Sequence, residues 1–246
     1  MAAVIQGLWI GRPLSPIERL SIASFLRHGH EYHLYCYDDL GDVPAGTIIK
    51  DGNAILPESG IFYYRQGPGQ GSASAFSNLF RYKLLLEKGG WWADTDAVCL
   101  RPWDFSDPIV VASQHTRGTK AKVASGVMKL PKGHPVAAYC YEVASKADRD
   151  SLQWGQIGPD LVAQALVRSN LLHLIMKPEV FCPIPWWDWS ALLADDPRPA
   201  QSLVTDESYS IHLWQEMWRR AGIDRAPAIP PASLFAQLME RFGVAR

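Results

Sequence analysis

No stretch of this chain is apolar for long enough to span a membrane, which takes about 20 consecutive apolar residues. Charge of one sign is not in excess either: 24 Lys and Arg stand against 25 Asp and Glu, for a formal net charge of -1. That balance argues against nucleic acid as the main partner, since such proteins carry a basic excess. Cysteine is scarce. Cys36, Cys99, Cys140 and Cys182 form no CxxC pair and no zinc-ligand spacing, so reduced, mostly buried thiols are expected. The opening MAAVIQGLWIGRP has no basic residue before its short apolar stretch, unlike a secretory signal. These absences predict a cytoplasmic protein, attached at most to the inner face of a membrane.

What is present fits one α/β domain over 1–246, closed by a short helical tail at 225–246. Residues 2–10 read as a buried strand. Ser15, Pro16 and Glu18 then make a capping box with proline at the first helical position, and 31–37 reads as a second strand. Such a strand–helix–strand unit favours a parallel sheet. Residues 38–72 read as edge connections, and 66–71 (QGPGQG) as a lid or a surface turn. The spacing predicts a helix over 74–88, stopped by Gly89 and Gly90. Strands are expected at 109–112, 123–130 and 208–213, and helices at 135–147 and 160–168. Residues 178–190 look irregular. Ten tryptophans are many for this length, and they cluster at 91–92, 186–189 and 214–218. Indole faces pack on sugars and also fill cores, and for any one tryptophan alone core packing is expected.

The chemistry concentrates in WWADTDAVCL, 91–100. Asp94 and Asp96 stand two apart in an apolar run, and in an extended segment such residues share one side. Two carboxylates so placed can hold one Mn²⁺ or Mg²⁺ together with a facing diphosphate. A cation there neutralises charge developing on a departing nucleoside diphosphate. DxD alone is short and common, and two solvated acids in a turn are the plain alternative.

Its context is more specific. The run SNLFRYKLLLEKGGWWADTDAVCLRPW, 77–103, resembles the DXD-motif sugar-binding glycosyltransferases. That retaining group includes α-1,4-galactosyltransferases, yeast initiating mannosyltransferases and the glucosylating domains of clostridial toxins. Ser77, Arg81, Tyr82, Gly89, Gly90, Trp92, Asp94 and Asp96 match its pattern, while Asn78 replaces the usual aspartate. Gly7–Gly11 and Ile211–Trp214 resemble its first strand and its late Val-His-x-Trp segment. The resemblance implies a GT-A fold, a Rossmann-like, mostly parallel sheet flanked by helices. It implies a retaining hexosyltransferase that uses a nucleotide-sugar donor, UDP-sugar foremost. The acceptor would be a glycan or lipid-linked glycan, as in bacterial surface polysaccharide or lipopolysaccharide synthesis. Asp94, Asp96 and His212 would hold the metal. Trp9, Ile10, Gly11, Asn78, Arg81, Trp92, Asp94 and Thr95 would bind the donor, with Arg81 and the two aspartates catalytic. Gly158, Pro159 and Asp160 would face the acceptor; apart from the resemblance, WWDW, 186–189, would line the acceptor groove with Asp188 open to hydroxyls, or would plug the sheet. WQEMWRR, 214–220, would either touch a membrane surface or pack on the domain.

Two rivals share parts of this pattern. Haloacid-dehalogenase-type phosphoryl transfer also uses DxD, but near the N-terminus and followed by DxT, where this chain has Ala97 and Val98. A sugar-binding protein without catalysis would use the aromatics, but it has no need of the run from Arg81 to Asp96.

Overall fold

The computed structural model describes residues 3–11, 13–223 and 229–245. A six-stranded sheet forms from β1 (Val4–Leu8), β2 (Glu31–Cys36), β3 (Ile48–Asp51), β4 (Gly90–Ala93), β6 (Val110–Gln114) and β7 (Lys122–Leu130), in the order β3-β2-β1-β4-β7-β6. The pairs β1/β2, β2/β3 and β1/β4 are parallel, and β7 runs antiparallel to both β4 and β6. A two-stranded ribbon pairs β5 (Ala97–Cys99) with β8 (Ser210–His212).

Local sequence accounts for the elements around β1. Ser15 and Glu18 close the expected capping box on α1 (Pro16–Arg27), with Glu18 accepting from the Ser15 N–H at 2.6 Å. From α1 the chain returns to β2 beside β1. The other neighbour of β1, β4, is reached through α2 (Ser74–Lys88). The strand order therefore reverses at β1/β4, where the carboxyl ends of strands open a crevice for ligands. α2 stops at Gly89, whose φ is +68°. A Cβ there would lie 2.4 Å from the Lys132 backbone N, so the double glycine is needed both for the turn and for the close approach.

Adjacent tryptophans in β4 take opposite faces, as strand periodicity requires. Trp92 packs with Phe80, Met128 and Leu161 beneath α2, α3 (Pro135–Ser145) and α4 (Pro159–Arg168). Trp91 packs with Phe25, Trp103 and Phe181, the last in a short helix, α5 (Pro178–Phe181). A third cluster joins α1 and β8 to α8 (Leu234–Phe242). Two short helices complete the set, α6 (Arg198–Gln201) and α7 (Gln215–Arg220). The irregular reading of 178–190 gives way to α5 and a 3-10 stretch at Trp186–Leu193.

Residues 67–69 form a 3-10 turn, with Gly69 packed so tightly under Trp154 that a Cβ would fall 2.2 Å from the ring. The expected tail is α8, while 225–228 of the link before it lie outside the described residues. All four cysteines are free and buried. Among the described residues no helix is long and apolar enough to cross a membrane.

Candidate functional site

The site is built where β4 ends. The extended reading of 91–100 needs correction. The strand breaks after Ala93, and Asp94 to Ala97 form a turn closed by the Ala97 N–H on the Asp94 carbonyl at 3.0 Å. The turn is pinned to β7 through the Asp94 N–H on the Gly126 carbonyl, at 2.7 Å. Asp94 Oδ1 accepts from Trp92 Nε1 at 2.8 Å and from Arg81 Nη2 at 2.6 Å. Arg81 is buried on α2. Its other terminal nitrogen donates to the Ser125 carbonyl, and its guanidinium lies 4.9 Å over the Trp92 ring. Both terminal nitrogens of Arg81 are thus engaged on protein.

Asp96 is held from the other side. Its Oδ2 accepts from the Gln215 backbone N–H at 3.0 Å. That N–H is aimed by Trp214, which adopts φ +57° and ψ +45°, a left-handed conformation rare for a bulky residue and common at functional sites. The Gln215 side chain donates to Glu18, so the acid that caps α1 also braces the start of α7. His212 Nε2 lies 3.5 Å from Asp96 Oδ1, and its Nδ1 accepts from the Trp214 N–H at 3.1 Å. The neutral ring in this geometry therefore carries its proton on Nε2.

Asp94, Asp96 and His212 each present one ligand atom, all within 4.8 Å of one another. Atoms that share a cation at about 2.1 Å stand about 3–4 Å apart, so the three would close in on it. Two carboxylates and an imidazole suit Mn²⁺ or Mg²⁺. Gly126 lets the strand approach the two side chains: a Cβ there would come 2.9 Å from Asp94 Oδ2 and 3.1 Å from His212 Nε2. Burial raises the Asp94 pKa, the Arg81 charge opposes that shift, and Asp96 adds to it. A divalent cation between the acids would relieve both penalties. Ligation through His212 Nε2 would need the other tautomer and would cost the Trp214 contact, whereas the carboxylates need no such change. Gly126→Ala is expected to press on Asp94 and His212 and to weaken divalent-cation binding by about 10- to 100-fold, measured by calorimetry.

The remaining expected residues divide. Trp9 is buried, packed in the cluster with Leu14 and Trp91. Thr95 is also buried, its methyl 3.4 Å from where a Gly7 Cβ would stand, so β1 and the Asp94–Asp96 turn fit closely. Ile10 is partly buried, and Gly11 takes φ +103° where the chain leaves β1. Asn78 sits in the wall between β7 and α4. Ser125 Oγ donates to its Oδ1 at 3.4 Å, and a Gly158 Cβ would lie 3.0 Å from its Nδ2. Gly158 and Pro159 thus border the same wall, fixed by Tyr82, whose hydroxyl donates to the Ile157 carbonyl at 2.9 Å. Asp160 pairs with Lys122 at 2.8 Å. Asp188 is not gathered in: it is exposed and lines a separate hollow with Ser190, Ala194, Pro199 and Leu203. Trp218 is buried against Phe235, and Trp214 stacks on His212 with centroids 4.1 Å apart, so WQEMWRR packs on the body.

Sequence reasoning missed Ser125, Gly126, Gln215 and the second role of Glu18. Only Gly126 left a signal, a glycine inside an expected strand, which marks close approach.

An open α/β sheet with an acidic pair at its switch point is an arrangement many folds share, and comparison with known proteins narrows it. Residues 70–115 match the glycosyltransferase sugar-binding region containing DXD motif. Residues 129–242 match the alpha 1,4-glycosyltransferase conserved region. Lactosylceramide 4-alpha-galactosyltransferase of Mus musculus is 24% identical over 178 residues, 68% of this chain and 46% of that protein. Alpha-1,4-N-acetylglucosaminyltransferase of Homo sapiens is 25% identical over 155 residues, 57% of this chain and 42% of that protein. The chain thus spans less than half the length of these two relatives. Among solved structures, PaToxG glycosyltransferase aligns with a TM-score of 0.50 at 14% identity, covering 99% of this chain and 87% of that one, a likeness of GT-A fold. Over these two regions the chain is similar to the DXD-motif glycosyltransferases.

Proposed function

We propose that this protein is a metal-dependent hexosyltransferase, one GT-A domain that moves a hexose from a UDP-sugar to a glycan hydroxyl. The observation that carries the reading is the convergence of Asp94, Asp96 and His212 at the end of β4, where Gly126 has no side chain to press between Asp94 and His212. Asp94 and Asp96 would hold Mn²⁺ or Mg²⁺, with His212 as third ligand. When bound, the cation supplies positive charge against the diphosphate as its bond to the sugar breaks.

The chain's own residues do the rest. Arg81 and Trp92 fix one oxygen of Asp94 and leave the other free to turn to the gap. The Gln215 N–H and Glu18 fix Asp96. Asn78 and the Gly158 wall would border the sugar, and the residues after β1, Trp9 to Gly11, would border the nucleoside. In the transfer, the acceptor hydroxyl oxygen bonds to the anomeric carbon as the bond from that carbon to the diphosphate oxygen breaks. The hydroxyl proton passes to the departing diphosphate. Attack on the face the diphosphate leaves gives retention, a reading supported by the family resemblance.

For the acceptor we propose a glycan, soluble or lipid-linked, of the kind built into surface polysaccharide or lipopolysaccharide. The support is that one relative's name joins a galactosyl transfer to a glycolipid. Incubation with UDP-hexoses, Mn²⁺ and octyl β-lactoside, read by mass spectrometry and proton NMR, tests this. The expected product gains one hexose through an α-linkage. Absence of both transfer and donor hydrolysis with every UDP-hexose would overturn the reading.

A further inference from the structure

The tryptophans are not used alike. Trp9, Trp91, Trp92, Trp103 and Trp218 are buried, whereas Trp186, Trp187 and Trp214 are half-exposed. Trp214 stacks on His212 and donates from Nε1 to the Ile184 carbonyl at 2.9 Å. Trp186 and Trp187 follow Ile184 two and three residues later. They meet edge to face, with centroids 5.6 Å apart and planes at 85°, which makes an open aromatic corner.

Over that corner stands Arg117, from the loop between β6 and β7. Its guanidinium carbon is 5.9 Å from the Trp186 ring and 5.7 Å from the Trp187 ring. Both distances are near the outer limit of about 6 Å for such contacts. Arg117 is exposed and has no acidic partner among the described residues. The same strand pair that carries Arg117 at its tip carries Ser125 and Gly126 at the site, because β7 runs on past the end of β4. Asp188, in the same run as the two tryptophans, turns instead to the hollow with Ser190 and Leu203.

We propose that Trp186, Trp187 and Arg117 form the acceptor subsite. The apolar face of a pyranose rests on the indoles, and Arg117 hydrogen-bonds its oxygens. Half-exposed aromatic rings at right angles give a sugar one face to stack on and one edge to abut. A loosely held arginine supplies planar donors beside them. The subsite deepens the transferase reading and rests on it, and it places acceptor recognition on these three residues rather than on Asp188.

The test compares Trp186→Ala, Trp187→Ala, Arg117→Ala and Asp188→Ala with wild type in UDP-galactose and UDP-glucose with Mn²⁺. Donor hydrolysis by water is followed alongside transfer to octyl β-lactoside and octyl α-glucoside. The acceptor KM is expected to rise at least about tenfold in the tryptophan variants and severalfold in Arg117→Ala, with donor KM and hydrolysis changed by less than about twofold. Trp187→Phe should recover most of the loss, and Asp188→Ala should behave as wild type. The subsite is overturned if acceptor KM is unmoved, if hydrolysis falls in step with transfer, or if wild type hydrolyses donor but uses neither glycoside. If wild type hydrolyses no donor at all, the transferase reading fails, and the subsite with it.

Discussion

Asp96→Ala is expected to lower donor turnover by about 10³-fold or more, a loss of roughly 4 kcal/mol of transition-state stabilisation. Asp96 is one of two carboxylates at the gap, and no other acid joins Asp94, Asp96 and His212 among the described residues. Stability should change little, because two effects oppose each other. The Gln215 N–H loses its acceptor, while Asp94 loses a like-charged neighbour that pushes its pKa upward. A thermal midpoint close to wild type, with turnover gone, would place the defect in chemistry. A collapse of both would mean that Asp96 is chiefly a brace for α7.

Arg81→Met should do the opposite and cost both stability and activity. The guanidinium is buried and bonds to Asp94 and to the Ser125 carbonyl while stacking on Trp92. Removing the guanidinium leaves the partly buried Asp94 carboxylate and the buried Ser125 carbonyl without their donor, which costs about 2–3 kcal/mol. In a chain of this size that lowers the melting temperature by on the order of 10 °C. Activity falls as well, since Asp94 loses the contact that fixes one of its oxygens. Arg81→Lys should restore little, because an ammonium cannot span Asp94 and Ser125 as the planar fork does. Differential scanning calorimetry beside donor hydrolysis checks both. Loss of activity without destabilisation would instead put Arg81 in contact with the donor.

The two variants separate what the sequence could and could not convey. The capping box at Ser15 and Glu18, the Gly89–Gly90 stop and the parallel β1–α1–β2 unit are local patterns, and the structure carries each of them. Asp94 and Asp96 also stood out, because two acids in an apolar run need a reason. Their geometry did not. Periodicity suggested a continuous strand, whereas a turn sets the two carboxylates against different supports. Those supports come from far along the chain. Gly126 and Ser125 arrive through antiparallel pairing of β7, and Gln215 arrives 119 residues after Asp96. No local window contains such contacts. The WWDW run shows the same limit. Its composition marked an aromatic cluster, but only the fold reveals that the tryptophans and Asp188 part company.

The most direct test of the central claim is calorimetric titration of UDP into the wild-type protein, once with Mn²⁺ and once with excess chelator. If a cation held by Asp94 and Asp96 bridges the protein to a diphosphate, UDP binds in Mn²⁺ and its affinity falls by at least about 100-fold when the metal is withdrawn. UDP binding of equal strength in both titrations would contradict the account, because the acidic pair would then have no part in holding the donor.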